Sequence, residues 1–232
     1  MKIPKRLDED SLLEWTEEKQ EVYDELQKFY ADIKYYDGNV RVPKICNIKE
    51  KYIVEEYAGK SLLDGSNQNL TDDEREYIIS ELAKFFDYIF NQDKNNKVSE
   101  YESVYKKKGD INVFSRLLAG SEEYKDFFER DKSDEIETWV FPDIHLENIT
   151  YDRDTGVINI IDVDGLKKDC IYKNFLSLAV CTGIQEGLRD FVRDLIKQIN
   201  SYNNIKIDVS KWEYFKEIEN SDYVIDRVCF IK

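Results

Sequence analysis

Several signatures of common protein classes are missing from this sequence. The four cysteines, Cys46, Cys170, Cys181 and Cys229, form no CxxC pair, and a chain of 232 residues is too large to need disulfides for its stability. No stretch approaches the roughly 18 apolar residues of a membrane span. The N-terminal segment MKIPKRLDEDSLLEW also lacks the apolar run of a signal peptide. We therefore expect reduced, mostly buried thiols in a cytoplasmic protein without a membrane segment.

Positive charge is also scarce, because 34 Lys and Arg face 49 Asp and Glu and leave a formal net charge of -15. Such a surface repels nucleic-acid backbones and anionic membranes. It would attract a cationic substrate, although many soluble proteins are acidic without having one. Hydrophobic residues make up 41% of the chain, with sixteen Tyr and twelve Phe, which is enough for a folded core. We expect a monomer that binds neither nucleic acid nor membrane.

Hydrophobic periodicity predicts a mixture of helices and short strands. Apolar residues recur at helical spacing over 7–35, where Asp10 or Ser11 would cap the helix. A second helix starts at Thr71, since T-D-D-E at 71–74 matches a capping box. Between the two helices lie two short β-like runs, Val40–Cys46 and Lys51–Tyr57, which are split by the polar segment IKEK. Weaker helical patterns follow later in the chain, at 99–119, 121–130, 170–200 and 211–218.

The segment from Asp143 to Gly165, D-I-H-L-E-N-I-T-Y-D-R-D-T-G-V-I-N-I-I-D-V-D-G, is the most informative part of the chain. Two β-rich runs flank the turn-forming cluster Asp-Arg-Asp-Thr-Gly, which predicts a β-hairpin. If the turn centres near Thr155, Asn148 lies opposite Asp162 at the open end of the hairpin. Asp143 lies just upstream, so we expect three carboxylate or carboxamide groups to converge there.

Those three groups suit phosphoryl transfer. Hard divalent cations prefer oxygen ligands of the Asn148 and Asp162 type. A separate carboxylate, here Asp143, can orient an attacking hydroxyl and accept its proton. An Asp, an Asn five positions later and an Asp at a strand end form the protein-kinase pattern of catalytic and metal-binding residues. The alternative is an exposed hairpin that merely has acidic ends.

The stretch FPDIHLENI…VINIIDVDG resembles the catalytic core of the aminoglycoside phosphotransferase and choline kinase-like branch of the protein-kinase superfamily. The resemblance implies an α+β, two-lobed protein-kinase-like fold. Its reduced N-terminal β lobe would span residues 1–58, and its mainly helical C-terminal lobe 59–232 would carry the catalytic hairpin 143–165. By resemblance, Asp143 is the catalytic base, Asn148 and Asp162 bind the metal, and Asp164 assists.

Upstream, KYIVEEYAGKSLLDG at 51–65 resembles a kinase hinge, a segment whose backbone binds adenine in the family. The resemblance assigns this role to Glu56, Tyr57 and Ala58, while a plain edge strand is the alternative.

Two further residues follow from the same comparison with kinases. The preceding helix would match the one whose Glu pairs with the phosphate-binding Lys. We assign the Glu to Glu21, with Glu18 and Glu25 as alternatives, and the Lys to Lys2. A charged helix face explains any of the three acids equally well.

The expected activity is transfer of the γ-phosphate of ATP, with Mg2+, to a hydroxyl acceptor. A small-molecule acceptor is favoured because His145 replaces the Lys that protein kinases carry two residues after the catalytic Asp, and because no A-P-E segment follows. The acidic run 121–137 could face a cationic acceptor or be a solvated helix face. Two alternatives remain: a minimal protein kinase acting on a partner protein, and a pseudokinase binding module, since no glycine-rich loop precedes Gly38.

Overall fold

In the part of the chain described by the computed structural model, two runs of short strands are separated and flanked by helices. The described residues are 20, 23–49, 52–62, 70–93, 136–141, 144, 146–163, 166–171, 174, 191–202, 204 and 206–207. The helices are α1 (23–32), α2 (Asp72–Asp93) and α3 (Phe191–Ser201). The strands are β1 (Val40–Arg41), β2 (Ile45–Lys49), β3 (Tyr52–Glu55), β4 (Lys60–Ser61), β5 (Glu137–Val140), β6 (Ile149–Tyr151), β7 (Ile158–Ile160) and β8 (Lys167–Cys170).

The predicted hairpin is confirmed as the antiparallel pair β6–β7. Asp152 organises its turn, because its carboxylate accepts hydrogen bonds from the Asp154 amide (3.0 Å) and the Thr155 hydroxyl (2.8 Å). These bonds to the ionised form hold the pKa of Asp152 below its usual value, with the Thr155 hydroxyl as the largest cause. Gly156 closes the turn with a φ of 72°, a left-handed conformation that glycine adopts without a steric penalty.

The hairpin forms the middle of a four-stranded sheet with the order β1-β7-β6-β4. β1 runs parallel to β7, and β4 runs antiparallel to β6. The predicted single run Val40–Cys46 is therefore wrong: Val40–Arg41 joins this sheet, whereas Ile45 begins a separate hairpin. Pro43 lies between the two strands, where its missing amide proton cannot extend a ladder.

Two further antiparallel pairs complete the described strands. β2 and β3 pair as an antiparallel hairpin, and Ile48 and Lys49 of the IKEK segment that was expected to split the two runs belong to β2. β5 pairs with β8, so Cys170 ends a strand and the predicted helical pattern starting at residue 170 is wrong there. The described helix in that range is α3, and residues 175–190 lie outside the described part. Cys46 is a free, exposed thiol, whereas Cys181 and Cys229 lie outside the described residues.

Helix α2 begins with the predicted capping box, which is confirmed. The Thr71 hydroxyl accepts a hydrogen bond from the Glu74 amide at 3.2 Å, and the Glu74 carboxylate accepts one from the Thr71 amide at 2.9 Å. Arg153 in the hairpin turn forms a 2.9 Å ion pair with Glu74, and Tyr77 donates a 2.9 Å hydrogen bond to the Gly156 carbonyl. These contacts fix the turn of the hairpin on the first turns of α2.

One apolar core joins the helices to one face of the hairpin. Phe29 of α1 is fully buried and makes edge-to-face ring contacts with Phe85 of α2, with Trp139 of β5 and with Phe141 just after β5. Helix α3 packs against α2, where Arg75 and Asp194 form a 2.7 Å ion pair. Two ladder pairs of the β6–β7 hairpin lie in the same core, namely Ile149 with Ile160 and Tyr151 with Ile158.

The remaining sequence predictions of secondary structure lie beyond these residues. The start of the first helix, including its candidate caps Asp10 and Ser11, and the helical patterns at 99–119, 121–130 and 211–218 lie outside the described part of the chain. Within the part that is described, no helix is both long and apolar enough to cross a membrane.

Candidate active site

The open end of the β6–β7 hairpin brings Asn148 next to Ile161 and Asp162. The Ile161 amide donates a 2.8 Å hydrogen bond to the Asn148 carbonyl, and Ile149 faces Ile160 in the ladder. The register is thus shifted by one residue from the predicted one, so Asn148 lies opposite Ile161 and diagonally from Asp162. The two predicted metal-binding residues still meet at neighbouring strand ends.

Asp162 has an unusual backbone. Its φ of 55° makes it the only non-glycine residue with a positive φ among the described residues. Asp tolerates this left-handed conformation better than most residues, but the conformation still has a cost and is concentrated at functional sites. A regular strand would place residue 162 on the same side as the core residue Ile160. The left-handed backbone conformation at Asp162 interrupts this alternation just after the end of β7.

The other predicted residues at this end of the fold are not described. Asp143, His145 and Asp164 lie outside the described residues, as do Lys2 and Glu21. No group of three or more His, Cys, Asp and Glu side chains that could hold a metal ion occurs in the described part. The described residues with side-chain oxygens at the open end include the Asn148 amide and the Asp162 carboxylate, with the exposed Glu147 beside Asn148. Oxygen ligands of this kind are those that Mg2+ prefers.

Buried apolar side chains flank Asp143 in the sequence. Phe141, Ile144 and Leu146 are each at most 2% exposed and belong to the common core. They anchor both ends of the short segment that links β5 to Asn148.

Asn174, which sequence reasoning missed, clamps the start of this segment. Its side chain is completely buried, donates a 2.9 Å hydrogen bond to the Trp139 carbonyl and accepts a 3.0 Å hydrogen bond from the Phe141 amide. Both bonds go to the main chain at the end of β5, two to four residues before Asp143. No short motif marks a lone Asn in KNFLSLAV. The only signal in the sequence was the apolar run that follows Asn174, because a polar residue beside such a run is often buried and hydrogen-bonded.

The hairpin face opposite the core is polar, and the predicted hinge crosses it. Thr150 and Asn159 face each other in the ladder and are almost fully buried. The Thr150 hydroxyl and the Asn159 amide both donate hydrogen bonds to the Ala58 carbonyl, the latter at 2.9 Å. Gly59, at a φ of 83°, then turns the chain into β4. The hinge segment is thereby fixed to the hairpin that carries Asn148 and Asp162.

The fixed hinge leaves an acceptor and a donor unused on its main chain. Within the described residues, neither the carbonyl of Glu56 nor the amide of Ala58 has a hydrogen-bond partner. The Glu56 amide is used, because it donates to the Lys44 carbonyl at 3.0 Å. Tyr57 between them is 88% exposed. A free carbonyl and a free amide two residues apart can form hydrogen bonds with one edge of a planar heterocycle. In a strand paired along its whole edge, these groups would already be used.

No protein-family model matches the sequence, and a search of curated proteins finds no match either. Solved structures do match. The gentamicin complex of APH(2")-IIa is 13% identical, covers 98% of this chain and 82% of that chain, and has a TM-score of 0.54. The ADP-bound aminoglycoside phosphotransferase APH(2'')-Ib is 14% identical with coverages of 99% and 81% and a TM-score of 0.56. This chain has the fold of the aminoglycoside phosphotransferases.

A third match broadens the comparison beyond aminoglycoside enzymes. Amicoumacin kinase hAmiN, in complex with AMP-PNP, Ca2+ and Ami, is 11% identical with coverages of 85% and 67% and a TM-score of 0.50. The predicted kinase-like α+β fold is confirmed by these matches. At such low identities the likeness concerns the phosphotransferase fold alone, so the roles of individual residues stay predictions.

In this kinase-like fold, helix α1 is fastened to the strand that leads toward Asp143. Asp32 of α1 accepts a 2.8 Å hydrogen bond from the Trp139 indole and lies 3.6 Å from the Lys168 ammonium of β8. Lys168 also lies over the Trp139 ring at 5.4 Å. The indole is 2% exposed, so its donor depends on Asp32. This contact fixes helix α1 to the β5–β8 pair.

Proposed function

We propose that this protein is a phosphotransferase that moves the γ-phosphate of ATP to a hydroxyl group of a small molecule in the presence of Mg2+. The observation that carries the proposal is the open end of the β6–β7 hairpin, where Asn148 adjoins a left-handed Asp162. Upstream of Asp143, Asn174 clamps the main chain of Trp139 and Phe141 at the end of β5. The aminoglycoside phosphotransferase fold supports the same activity at the level of the fold.

Each predicted residue has a definite task in this proposal. Asp143 orients the acceptor hydroxyl and takes its proton as the oxygen attacks the phosphorus. Asn148 and Asp162 would hold the Mg2+, which when bound neutralises charge on the phosphate oxygens. The left-handed backbone of Asp162 supports this role, since a ligand already in position would not lose conformational freedom on binding.

The hinge would recognise the adenine ring. The unused Ala58 amide can donate to a ring nitrogen, and the unused Glu56 carbonyl can accept from the exocyclic amino group. Tyr57 lies between these two residues in the chain, and its side chain is exposed to solvent. Lys2, paired with Glu21, would contact the phosphates.

The acceptor is proposed to be small, hydroxyl-bearing and cationic. Gentamicin and streptomycin are named in the complexes of APH(2")-IIa, a protein that shares this fold. The formal net charge of -15 favours association with a cationic molecule over an anionic one.

A radiolabel assay tests this proposal. Purified protein with γ-labelled ATP and Mg2+ should transfer label to at least one member of a panel of aminoglycosides and other amino alcohols. Asp143→Ala and Asp162→Ala should abolish transfer while keeping the wild-type circular dichroism spectrum. Asp154→Ala is the matched control, because this exposed Asp lies in the turn of the same hairpin, away from its open end. Full activity of Asp162→Ala would refute the metal-binding role.

The same assay separates the alternative functions. Transfer of label to proteins in a lysate, with none to the small-molecule panel, would favour a minimal protein kinase. Absence of both label transfer and any thermal shift with Mg-ATP would favour a pseudokinase scaffold, because a ligand at one hundred times its Kd stabilises a protein by about 2.7 kcal/mol.

A further inference from the structure

We propose that Thr150 and Asn159 are positioning residues for the nucleotide, because they hold the hinge at one place on the hairpin that carries the predicted metal-binding residues. These two side chains and the Ala58 carbonyl form the hinge anchor. Its role toward the nucleotide rests on the proposed function, whereas the restraint of the hinge does not. The two can therefore fail separately.

The hinge anchor is a closed set of hydrogen bonds. The Asn159 amide donates to the Ala58 carbonyl at 2.9 Å and to the Thr150 hydroxyl at 3.2 Å, and this hydroxyl donates to the same carbonyl. The carbonyl thus accepts two hydrogen bonds, which matches its two lone pairs. Both side chains are almost fully buried, so water cannot easily replace these bonds. A buried network whose members are satisfied in this way makes the structure around it more rigid.

The hinge anchor is the polar part of a hairpin that is otherwise apolar. The ladder pairs on either side of Thr150 and Asn159 belong to the apolar core. Burying a hydroxyl and an amide costs free energy unless both are hydrogen-bonded. Here the acceptor that they share lies outside the hairpin, on the main chain of the hinge. An apolar pair could cover the hinge but could not fix its carbonyl, so the choice of residues favours positioning over simple packing.

The anchored carbonyl belongs to the same residue as the amide that is proposed to bind adenine, Ala58. The chain that follows is fixed as well, because β4 pairs with β6 and the Leu62 amide donates a 2.8 Å hydrogen bond to the Ile149 carbonyl. Along the two strands, the hinge anchor lies two residues from Asn148 and three from Asp162, a separation of about 7–10 Å. The proposed adenine edge and the predicted metal ligands are thereby connected through one hairpin.

A hinge that is fixed before binding raises the affinity for ligands that contact it. Such a hinge does not lose conformational freedom when the base binds, whereas a loosened hinge must be ordered by the ligand. The affinity lost with one anchor bond is limited by the strength of that bond, which for neutral groups corresponds to about two- to tenfold. A ligand made of phosphates alone would bind at the open end and would not depend on the hinge.

Calorimetric titration of Thr150 variants tests this difference. Thr150→Val removes the hydroxyl and keeps the β-branched shape, whereas Thr150→Ser keeps the hydroxyl. Thr138→Val is the matched control, because Thr138 is also fully buried and its hydroxyl donates to the Ile89 carbonyl at 3.4 Å, outside the hairpin sheet. With AMP-PNP and Mg2+, Thr150→Val should bind about two- to tenfold more weakly than wild type, and the other two variants should bind like wild type. Magnesium tripolyphosphate, which lacks a base, should bind all four proteins equally.

Hydrogen–deuterium exchange without nucleotide tests the restraint itself. Peptides covering residues 56–62 should exchange faster in Thr150→Val than in wild type and unchanged in Thr138→Val. Asn159→Leu, which removes the amide and keeps a side chain of similar size, should also exchange faster there. Circular dichroism checks that each variant is folded. Unchanged exchange of this segment in both anchor variants would overturn the hinge anchor.

Two binding results would overturn the positioning role. One is an equal loss of affinity for AMP-PNP and for tripolyphosphate in Thr150→Val, since the effect would then not pass through the base. The other is equal AMP-PNP affinities of Thr150→Val and Thr138→Val. If wild type binds no AMP-PNP, the proposed function fails and the positioning role fails with it, while the exchange experiment still decides whether the hinge is anchored.

Discussion

Replacing Asn174 with Ala should destabilise the protein and impair the segment that leads to Asp143. Asn174 is fully buried, and its two hydrogen bonds satisfy the Trp139 carbonyl and the Phe141 amide. Both partner residues are 2% exposed, so water cannot easily replace the lost side chain. The variant therefore leaves one buried acceptor and one buried donor unpaired.

The expected cost follows from those two groups. Each unsatisfied buried polar group costs about 1–3 kcal/mol, so Asn174→Ala should lower the free energy of unfolding by about 2–5 kcal/mol. That is a large part of the roughly 5–15 kcal/mol that stabilises a typical domain. Asn204→Ala is the matched control, because Asn204 is exposed and its hydrogen bond to Asp87 has water as a substitute. We expect it to change stability by about 0.5 kcal/mol or less.

Asn174→Asp refines the test. The carboxylate keeps an acceptor for the Phe141 amide but directs negative charge at the Trp139 carbonyl, so the folded state should raise the pKa of the new Asp. A raised pKa means that the folded state binds the proton more tightly, and the destabilisation should therefore shrink as pH falls through that pKa.

Urea unfolding followed by circular dichroism, at neutral pH and at about pH 5, measures all three variants. Equal stabilities of Asn174→Ala and Asn204→Ala would refute the clamp. A stability difference between wild type and Asn174→Asp that does not depend on pH would refute the charge argument.

Two further predictions concern the contacts of α2 and α1. Thr71→Ala should cost about 1 kcal/mol in urea unfolding through the lost cap, and no change would argue against the capping box. The Thr71 amide is the largest cause of the lowered pKa of Glu74. The stability that wild type has over Glu74→Gln should therefore be complete above the unfolded pKa of Glu and decline as pH falls through the lower folded pKa. Asp32→Ala should cost about 1–3 kcal/mol because the Trp139 indole loses its acceptor, whereas Asp32→Asn, which keeps a carbonyl oxygen, should cost less. Equal losses in the two Asp32 variants would contradict this account.

The elements that the sequence predicted well are those specified by local chemistry. The T-D-D-E capping box places the start of α2 because the cap and its partner are three residues apart. The β6–β7 hairpin is specified by its Asp-Arg-Asp-Thr-Gly turn. Asp152 accepts a hydrogen bond from the turn amide of Asp154, and Gly156 adopts the positive φ that the turn requires. Its register was missed by one residue because the turn could be centred only approximately.

The elements that the sequence did not predict depend on distant partners. Lys167–Cys170 is a polar segment without a β pattern, and it becomes a strand because β5 offers it a ladder. Val40–Arg41 is too short to be distinguished from the following run, and its partner β7 lies far along the chain. Non-local pairings of this kind leave no periodicity in the strand itself.

The candidate site divides in the same way. Asn148 and Asp162 could be proposed because their spacing matches a known chemical pattern in a single hairpin. The Asn174 clamp and the left-handed backbone of Asp162 could not, since each depends on the surrounding packing. The engagement of the Ala58 carbonyl by Thr150 and Asn159 likewise depends on contacts between distant parts of the chain.

Calorimetric titration with AMP-PNP, in the presence and absence of Mg2+, tests the central claim most directly because it requires no acceptor. Wild type and Asp154→Ala should bind the nucleotide with equal, Mg2+-dependent affinity. Asp162→Ala should lose about tenfold or more in Kd in the presence of Mg2+, equivalent to about 1.4 kcal/mol, and should lose the Mg2+ dependence. Equal, Mg2+-independent affinities in the three proteins, or no binding at all, would contradict a magnesium–nucleotide site at the open end of the hairpin.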